Sequence, residues 1–366
     1  MTDSVAPLFR PFHLRDLTLA NRVVMAPMTR SKSPDGVPGP DVAGYYRRRA
    51  EGATGLIITE GTTIADPVST MNADIPNFYG PSLDGWRHVV EEVHAAGGKI
   101  MPQLWHVGMA RNPAAAPHPE LPSAGPSGLT KPGVQHSEPM TREHIARVVA
   151  AFAQGAADAQ ALGFDGIELH GAHGYLIDQF FWEGTNRRED EYGGDMVGRT
   201  RFAVEIIEAV RCATGPDFPI ILRFSQWKLQ DYTAKLAPTP QALARFLKPL
   251  SEAGVDIFHC SQRKFWEPEF DGSTLNLAGW TRELTGKPTI TVGSVGLSDE
   301  FIGSFRGESS SATGVDELLE RLGHDEFDLV AVGRALLVDP SWTRKVRDAQ
   351  YDALLPFTPE ALTTLS

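Results

Sequence analysis

Two histidines and a tyrosine stand within one short stretch, at His170, His173 and Tyr175, separated by Gly171 and Gly174. Imidazole groups donate hydrogen bonds and titrate near neutrality, and a phenol is a weak acid. Three such groups aimed at one spot can polarise an oxygen and deliver a proton. Residues 164–175 read Phe-Asp-Gly-Ile-Glu-Leu-His-Gly-Ala-His-Gly-Tyr, a short apolar strand that ends in this cluster. A strand rising ~3.3 Å per residue brings Glu168 and His170 onto one face, and the glycines allow His173 and Tyr175 to turn back over it. The same stretch also reads as a satisfied histidine pair capping a strand, so the rest of the chain has to decide.

The chain has 366 residues, 42% of them apolar, and a formal net charge of −12. This length suits one large α/β barrel or two ordinary domains. The acidic balance, without Lys/Arg runs interleaved with aromatics, argues against a nucleic-acid partner. Cys212 and Cys260 make neither a disulfide framework nor an iron–sulfur site. No apolar run reaches ~18 residues and the N-terminus is acidic, so neither export nor a membrane span is expected and the cytoplasm is the expected compartment.

The elements repeat. A hairpin is expected over 8–21, after a few irregular residues, plugging one end of something larger. Strands are then expected at 22–27, 55–60, 99–105, 164–175, 219–225, 255–261, 288–293 and 327–333, with helices at 41–51, 84–96, 141–162, 197–213, 241–253 and 276–285, and a last helix starting at Asp339-Pro340. Two long excursions, 112–139 after the third strand and 176–201 after the fourth, read as lid or binding loops. Residues 299–314, between strand seven and its helix, read as an exposed insertion. Eight strand–helix units without a linker give a single-domain (β/α)8 TIM barrel over 1–366; a doubly wound sheet is the competitor, and the first strand lacks the Gly-x-Gly-x-x-Gly turn it would need.

In a barrel the strand C-termini build the active site. Just past the strands stand Thr29, Gly61, Gln103 with Trp105 and His106, His170 with His173 and Tyr175, Arg223, Cys260, Gly293, and Gly333 with Arg334. The glycines after strands seven and eight fit the barrel's phosphate position, where Arg334 can neutralise charge. Arg223 in an apolar strand needs an anion or a ligand, and Glu168 on the neighbouring strand can be that anion. Gly61 also reads as a tight turn, Gln103 and Trp105 as strand-end packing, and Cys260 as a small apolar side chain. Because His106, His170, His173 and His259 all lie near strand ends, a metal-dependent hydrolase is a second reading of the rim.

Six motifs, in order, cover nearly the whole chain: Leu8-Phe9-Arg10-Pro11 with Leu19-Ala20-Asn21-Arg22; Ala26-Pro27-Met28-Thr29-Arg30; Gln103-Leu104-Trp105-His106-Val107-Gly108; Glu168-Leu169-His170 through Gly174-Tyr175-Leu176; Arg187 with Tyr192-Gly193-Gly194; and Gly333-Arg334-Ala335-Leu336. In these the chain resembles the Old Yellow Enzyme family of FMN-dependent ene-reductases and NADH:flavin oxidoreductases. The resemblance implies bound FMN and NADH or NADPH as hydride donor. The substrate would be a small activated alkene, an α,β-unsaturated carbonyl or nitro compound, with nitro or nitrate-ester reduction as a further activity. It also implies a monomer or homo-oligomer that holds no metal. Pro27, Met28, Thr29, Gly61, Gln103, His170 and Arg223 would meet the flavin ring, and Gly293, Gly333 and Arg334 its phosphate. His170 and His173 would hold the substrate oxygen and Tyr175 would supply a proton. Trp105 and Phe265 or Trp266 would form the apolar wall, and Glu168 would be a buried structural partner of Arg223. Some members carry asparagine where this chain has His173, and the 299–314 insertion is a departure on the phosphate side.

Overall fold

The computed structural model describes residues 3–300, 303 and 306–366. Met1, Thr2 and residues 301, 302, 304 and 305 of the expected insertion lie outside it.

The elements run β1 (Phe12–Leu14), β2 (Leu17–Leu19), β3 (Val23–Met25), α1 (Pro40–Glu51), β4 (Leu56–Thr63), α2 (Ser82–Ala95), β5 (Ile100–Trp105), β6 (Leu129–Lys131), β7 (Val134–Gln135), α3 (Arg142–Leu162), β8 (Ile167–His173), α4 (Leu176–Phe181) and α5 (Met196–Thr214). They continue with β9 (Ile220–Lys228), α6 (Pro240–Ala253), β10 (Ile257–Ser261), α7 (Leu277–Thr285), β11 (Thr289–Val292), α8 (Asp316–Gly323), β12 (Leu329–Val332), α9 (Arg334–Val338) and α10 (Trp342–Arg347). Strands β3, β4, β5, β8, β9, β10, β11 and β12 form a closed barrel in that order, with β12 pairing back to β3, every pair parallel. The expected (β/α)8 barrel is therefore the observed fold.

The strands are continuous apolar runs because both faces are covered. Val24, Ala26, Leu56, Ile58, Met101, Ile221, Ile257, Ile290, Leu329 and Ala331 fill the barrel interior, while Val23, Met25, Ile57 and Ile100 pack in the outer core with the helices. That alternation is the period of two of an extended chain. Phe12, Leu17 and Leu19 of the β1–β2 hairpin join the interior cluster, so the hairpin plugs the barrel. Its turn residue Arg15 donates from Nε to Asp256 Oδ1 at 2.8 Å, and Asp256 in turn binds Arg211 at 2.6 Å. Asp256 immediately precedes β10, which places the plug at the N-terminal end, opposite the strand C-termini.

Several local expectations need correction. The residues ahead of Leu8 form a 3-10 helix, Asp3–Phe9. The 112–139 excursion carries the small antiparallel pair β6–β7. The 176–201 excursion opens with α4, all six of whose residues are buried, so no one-sided spacing marks it as a helix in the sequence. Strand β9 runs on to Lys228, and α9 precedes the final helix. The insertion is not wholly exposed: Ser310 is buried and exchanges backbone hydrogen bonds with Phe357 at 3.0 and 2.9 Å. Near its end the chain folds back on the rim. Arg30 Nη2 donates to the carbonyls of Ala361, Leu362 and Thr364 at 3.1, 3.2 and 2.7 Å.

Candidate active site

A cavity of about 330 Å³ opens at the strand C-termini, within the ~300–1,000 Å³ range of small-molecule sites. Ala26, Pro27, Met28, Thr29 and Arg30 line it from the exit of β3, Gln103 and Trp105 from β5, and His170, His173 and Tyr175 from β8 and its turn. Arg223, Trp227 and Leu229 enter from β9, and Ser261, Gln262 and Arg263 from the end of β10. Gly293, Ser294, Val295 and Leu297 follow β11, and Gly333, Arg334 and Leu337 follow β12; Leu362 closes one wall from the C-terminal segment.

The structure thus brings together Pro27, Met28, Thr29, Gln103, Trp105, His170, His173, Tyr175, Arg223, Gly293, Gly333 and Arg334. Three expected residues stand outside the lining. Gly61 lies behind Trp105: a Cβ there would meet Trp105 Cε3 at 2.5 Å, so its missing side chain seats the indole. Phe265 and Trp266 pack edge-on against each other at 5.1 Å, with Phe265 in the outer core. The aromatic wall they were expected to form is supplied by Trp227 together with Trp105. Trp227 follows Arg223 and Ser225 at the two-residue spacing of one strand face, a signal that was available once the strand was carried past Ser225.

The catalytic candidates form one ring cluster. His170 stacks on Trp105 at 5.8 Å and meets Tyr175 and His173 edge-on at 5.0 and 5.2 Å. His173 stacks on Trp227 at 4.6 Å. His170 Nδ1 accepts the Ala172 N–H at 3.4 Å, leaving Nε2 as its donor. His173 Nε2 lies 2.7 Å from Ser261 Oγ, and Arg223 Nη2 donates to the same hydroxyl at 3.4 Å. Burial, then the Arg223 charge, holds both histidines well below the ordinary imidazole range, so both are neutral at physiological pH. Burial pushes the Tyr175 phenol up to about 12.

The turn carrying these groups is pinned from behind. His173 has φ 65° and Gly174 φ 82°. Asp178 Oδ2 accepts the Gly174 N–H at 2.6 Å, and its Oδ1 takes a 2.6 Å bond from Lys228 Nζ, both side chains fully buried. Lys228 also donates to Ser225 O at 3.1 Å. No local sequence pattern links the two partners of this ion pair, which belong to different elements 50 residues apart.

Glu168 is not the direct partner of Arg223. Its Oε2 bonds His259 Nδ1 at 2.6 Å and its Oε1 accepts from Gln103 Nε2 at 2.7 Å, so the carboxylate is consumed within a buried chain beneath Gln103. It acts on Arg223 only through its charge. At the β3 exit, Glu60 Oε2 accepts the Arg30 and Ser31 N–H groups at 2.8 and 3.2 Å and holds the loop that bears Thr29.

The metal-hydrolase reading finds no support. His106 Nε2 lies 3.4 Å from Asp66 Oδ1, whose other oxygen binds His144 at 3.0 Å, and His259 is tied to Glu168. Among the described residues no three ligating side chains gather as a metal site would require. The residues do fit a flavin mononucleotide. Arg223 is buried with no carboxylate within ion-pair distance among the described residues, and its Nε lacks a partner, as does Trp105 Nε1. A buried guanidinium in that state calls for an electron-rich ligand. At Gly293, φ 139°, a Cβ would come within 2.9 Å of the backbone of residues 262–264, so only glycine lets this wall close. Arg334 donates to the carbonyls of Asp299 and Glu300, which fixes it on the side of the cavity that Gly293 and Gly333 line.

Comparison with known proteins places this geometry. Residues 7–353 match the model of the NADH:flavin oxidoreductase / NADH oxidase family. 12-Oxophytodienoate reductase 7 of Oryza sativa subsp. japonica is 42% identical over 225 residues, spanning 58% of this chain and 57% of that protein. 12-Oxophytodienoate reductase 1 of the same organism is 32% identical over 347 residues, 93% of this chain and 85% of that one. Among solved structures, morphinone reductase in complex with tetrahydroNAD superposes with a TM-score of 0.81 at 29% identity, covering 97% of this chain and 93% of that chain.

Proposed function

The chain belongs to the NADH:flavin oxidoreductase / NADH oxidase family and is a flavin-dependent oxidoreductase; on that premise we propose that His170, His173 and Tyr175 are its catalytic residues in the reduction of activated alkenes. The observation that carries this reading is their convergence with Arg223 in one rim cavity. When bound, FMN supplies the redox chemistry, accepting a hydride from NADH or NADPH and giving it to the β-carbon of an α,β-unsaturated carbonyl or nitro compound.

The protein's own residues do the rest. Pro27, Met28, Thr29, Gln103 and Arg223 hold the cofactor ring, and Gly293, Gly333 and Arg334 its phosphate. Gln103 commits one of its two amide N–H groups to Glu168, which orients the side chain and leaves its carbonyl oxygen and second N–H for the ring's polar edge. Arg223 would set a fixed positive charge beside the ring, which favours the electron-rich reduced cofactor. His170 donates from Nε2 to the substrate oxygen. Ser261 accepts from Arg223; in the tautomer in which its hydroxyl donates to His173 Nε2, the His173 proton stands on Nδ1 as the second donor. Neutral imidazoles suit this role: they stabilise the oxygen's growing charge without surrendering a proton to it. Tyr175, protonated through the neutral range, delivers the proton to the α-carbon. Trp105 and Trp227 shape the apolar wall. Nitro or nitrate-ester reduction is a further activity of the same site.

Residues 1–366 are read as a single FMN-binding domain, cytoplasmic, monomeric or homo-oligomeric, acting on small molecules and not on nucleic acid. The net charge of −12 supports the last point, and among the described residues no helix is long and apolar enough to cross a membrane. The test is anaerobic titration of the purified protein. NADH or NADPH should bleach a flavin spectrum and 2-cyclohexenone should restore it; a protein that binds no FMN would overturn the reading.

A further inference from the structure

His259 has no part in the proposed reaction. It stands on β10 with no exposed surface, and neither it nor Glu168 lines the catalytic cavity. Gln103 and Arg223 do line it, and His259 is linked to each by a different route. Through Glu168 it reaches Gln103, by bonds of 2.6 and 2.7 Å. Across the sheet it is paired in register with Arg223 on β9, as Arg223 is with His170 on β8. We infer that His259 is a positioning residue of the cofactor site, fixing through Glu168 the orientation of the Gln103 amide. The inference rests on the flavin reading given above, in which Gln103 meets the ring.

The chain of three side chains has a forced polarity. A carboxylate only accepts hydrogen bonds, so each Glu168 oxygen needs a donor. His259 Nδ1–H satisfies Oε2, and one Gln103 N–H satisfies Oε1. Burial holds the His259 imidazole below its ordinary range against the pull of Glu168, and the Arg223 charge lowers it further. A neutral imidazole has one ring proton, and here it is spent at Nδ1. Nε2 is left as a bare lone pair, buried without a partner, as is Arg223 Nε on the register neighbour. Gln103 must therefore turn an N–H toward Glu168, never its carbonyl. Without that demand the amide could turn over, because its oxygen and nitrogen ends are alike in shape. His259 completes the acceptor that imposes the demand. The cavity consequently meets a Gln103 amide whose carbonyl oxygen and second N–H stand in fixed places.

The measurement is the FMN Kd of the holoprotein, read from the fluorescence of flavin released on serial dilution, with far-ultraviolet circular dichroism as the check on folding. His259→Leu leaves a buried carboxylate with one donor; the carboxyl turns or takes up a proton, and in either case the Gln103 amide loses its constraint. The Kd should rise by about 5- to 100-fold, the range for a buried hydrogen-bonding group deprived of its partner. His259→Asn places an amide N–H where Nδ1 stands and should recover all but about threefold of that loss. In a Gln103→Ala background, His259→Leu should add less than about twofold, because the side chain it acts through is gone. Glu168→Gln keeps the test open if His259→Leu does not fold. Its amide both donates and accepts, so either order of the chain is satisfied; it should raise the Kd by about 2- to 10-fold, again only while Gln103 is present. An unchanged Kd, full additivity with Gln103→Ala, or a His259→Asn protein as weak as His259→Leu would assign His259 to packing. Each of these would overturn the inference while leaving the reductase intact. A wild-type protein that binds no FMN would instead overturn the flavin reading, and this inference with it.

Discussion

Burial acts on the catalytic cluster in two chemically opposite ways. It strips the proton from His170 and His173 and secures it on Tyr175, because in each case the neutral form is the one a low-dielectric cavity favours. The donors and the acid are thereby separated without any pair of like charges. A phenol raised to about 12 stays protonated below that value and is lost as an acid only above it. Alkene reduction limited by Tyr175 is therefore expected to be flat between about pH 7 and pH 10, in stopped-flow reoxidation, and to fall only beyond. Tyr175→Phe should slow that half-reaction by about 10²- to 10⁴-fold, the usual range for a general acid. It should leave bleaching by NADH nearly unchanged; a parallel loss of both would assign the residue to packing. At this scale the sequence was informative where chemistry and a strand end coincide, as at His170, Gln103 and Arg223. It was silent where a side chain is defined by what lies across the barrel, as for Ser261 between His173 and Arg223.

The turn between β8 and α4 holds its shape through a buried ion pair. Asp178 sits in the first turn of α4 and Lys228 at the end of β9, and the carboxylate they share with Gly174 N–H fixes the backbone between His173 and Tyr175. Removing one partner leaves the other charged and buried, which costs about 3–5 kcal/mol. Asp178→Asn is expected to lower the thermal midpoint by that equivalent, and the pair Asp178→Leu with Lys228→Met to recover most of it. If the pair also positions the cluster, the recovered double variant will remain slow in alkene reduction while bleaching normally with NADH. Strand and helix positions were legible from apolar runs and caps such as Thr141 and Asn276, whose side chains accept the His144 and Gly279 N–H groups. Helix α4 was not, because its six residues are all buried and show no one-sided periodicity.

Across the whole molecule, stability and chemistry occupy opposite ends of the barrel. The β1–β2 plug fills the N-terminal end, and the cavity opens at the other. Leu17→Ala should cost about 2–5 kcal/mol in denaturant or thermal unfolding, as for a buried leucine, while leaving FMN content and turnover at 25 °C unchanged. A matching loss of flavin would mean that the two ends are coupled through the interior. Barrel closure was readable from eight repeated strand–helix units. The return of the C-terminal segment was not, since no local pattern announces a contact with Arg30 more than 300 residues earlier. The form of that contact bears on how the protein can change. Arg30 grips Ala361, Leu362 and Thr364 entirely through backbone carbonyls, which every amino acid provides. The path of the segment over the rim is thus largely independent of its side chains. Leu362, which faces the cavity, can be exchanged to redraw one wall without dismantling the attachment, so substrate range in this barrel is open to drift, or to design, at a position whose docking is already guaranteed by the main chain.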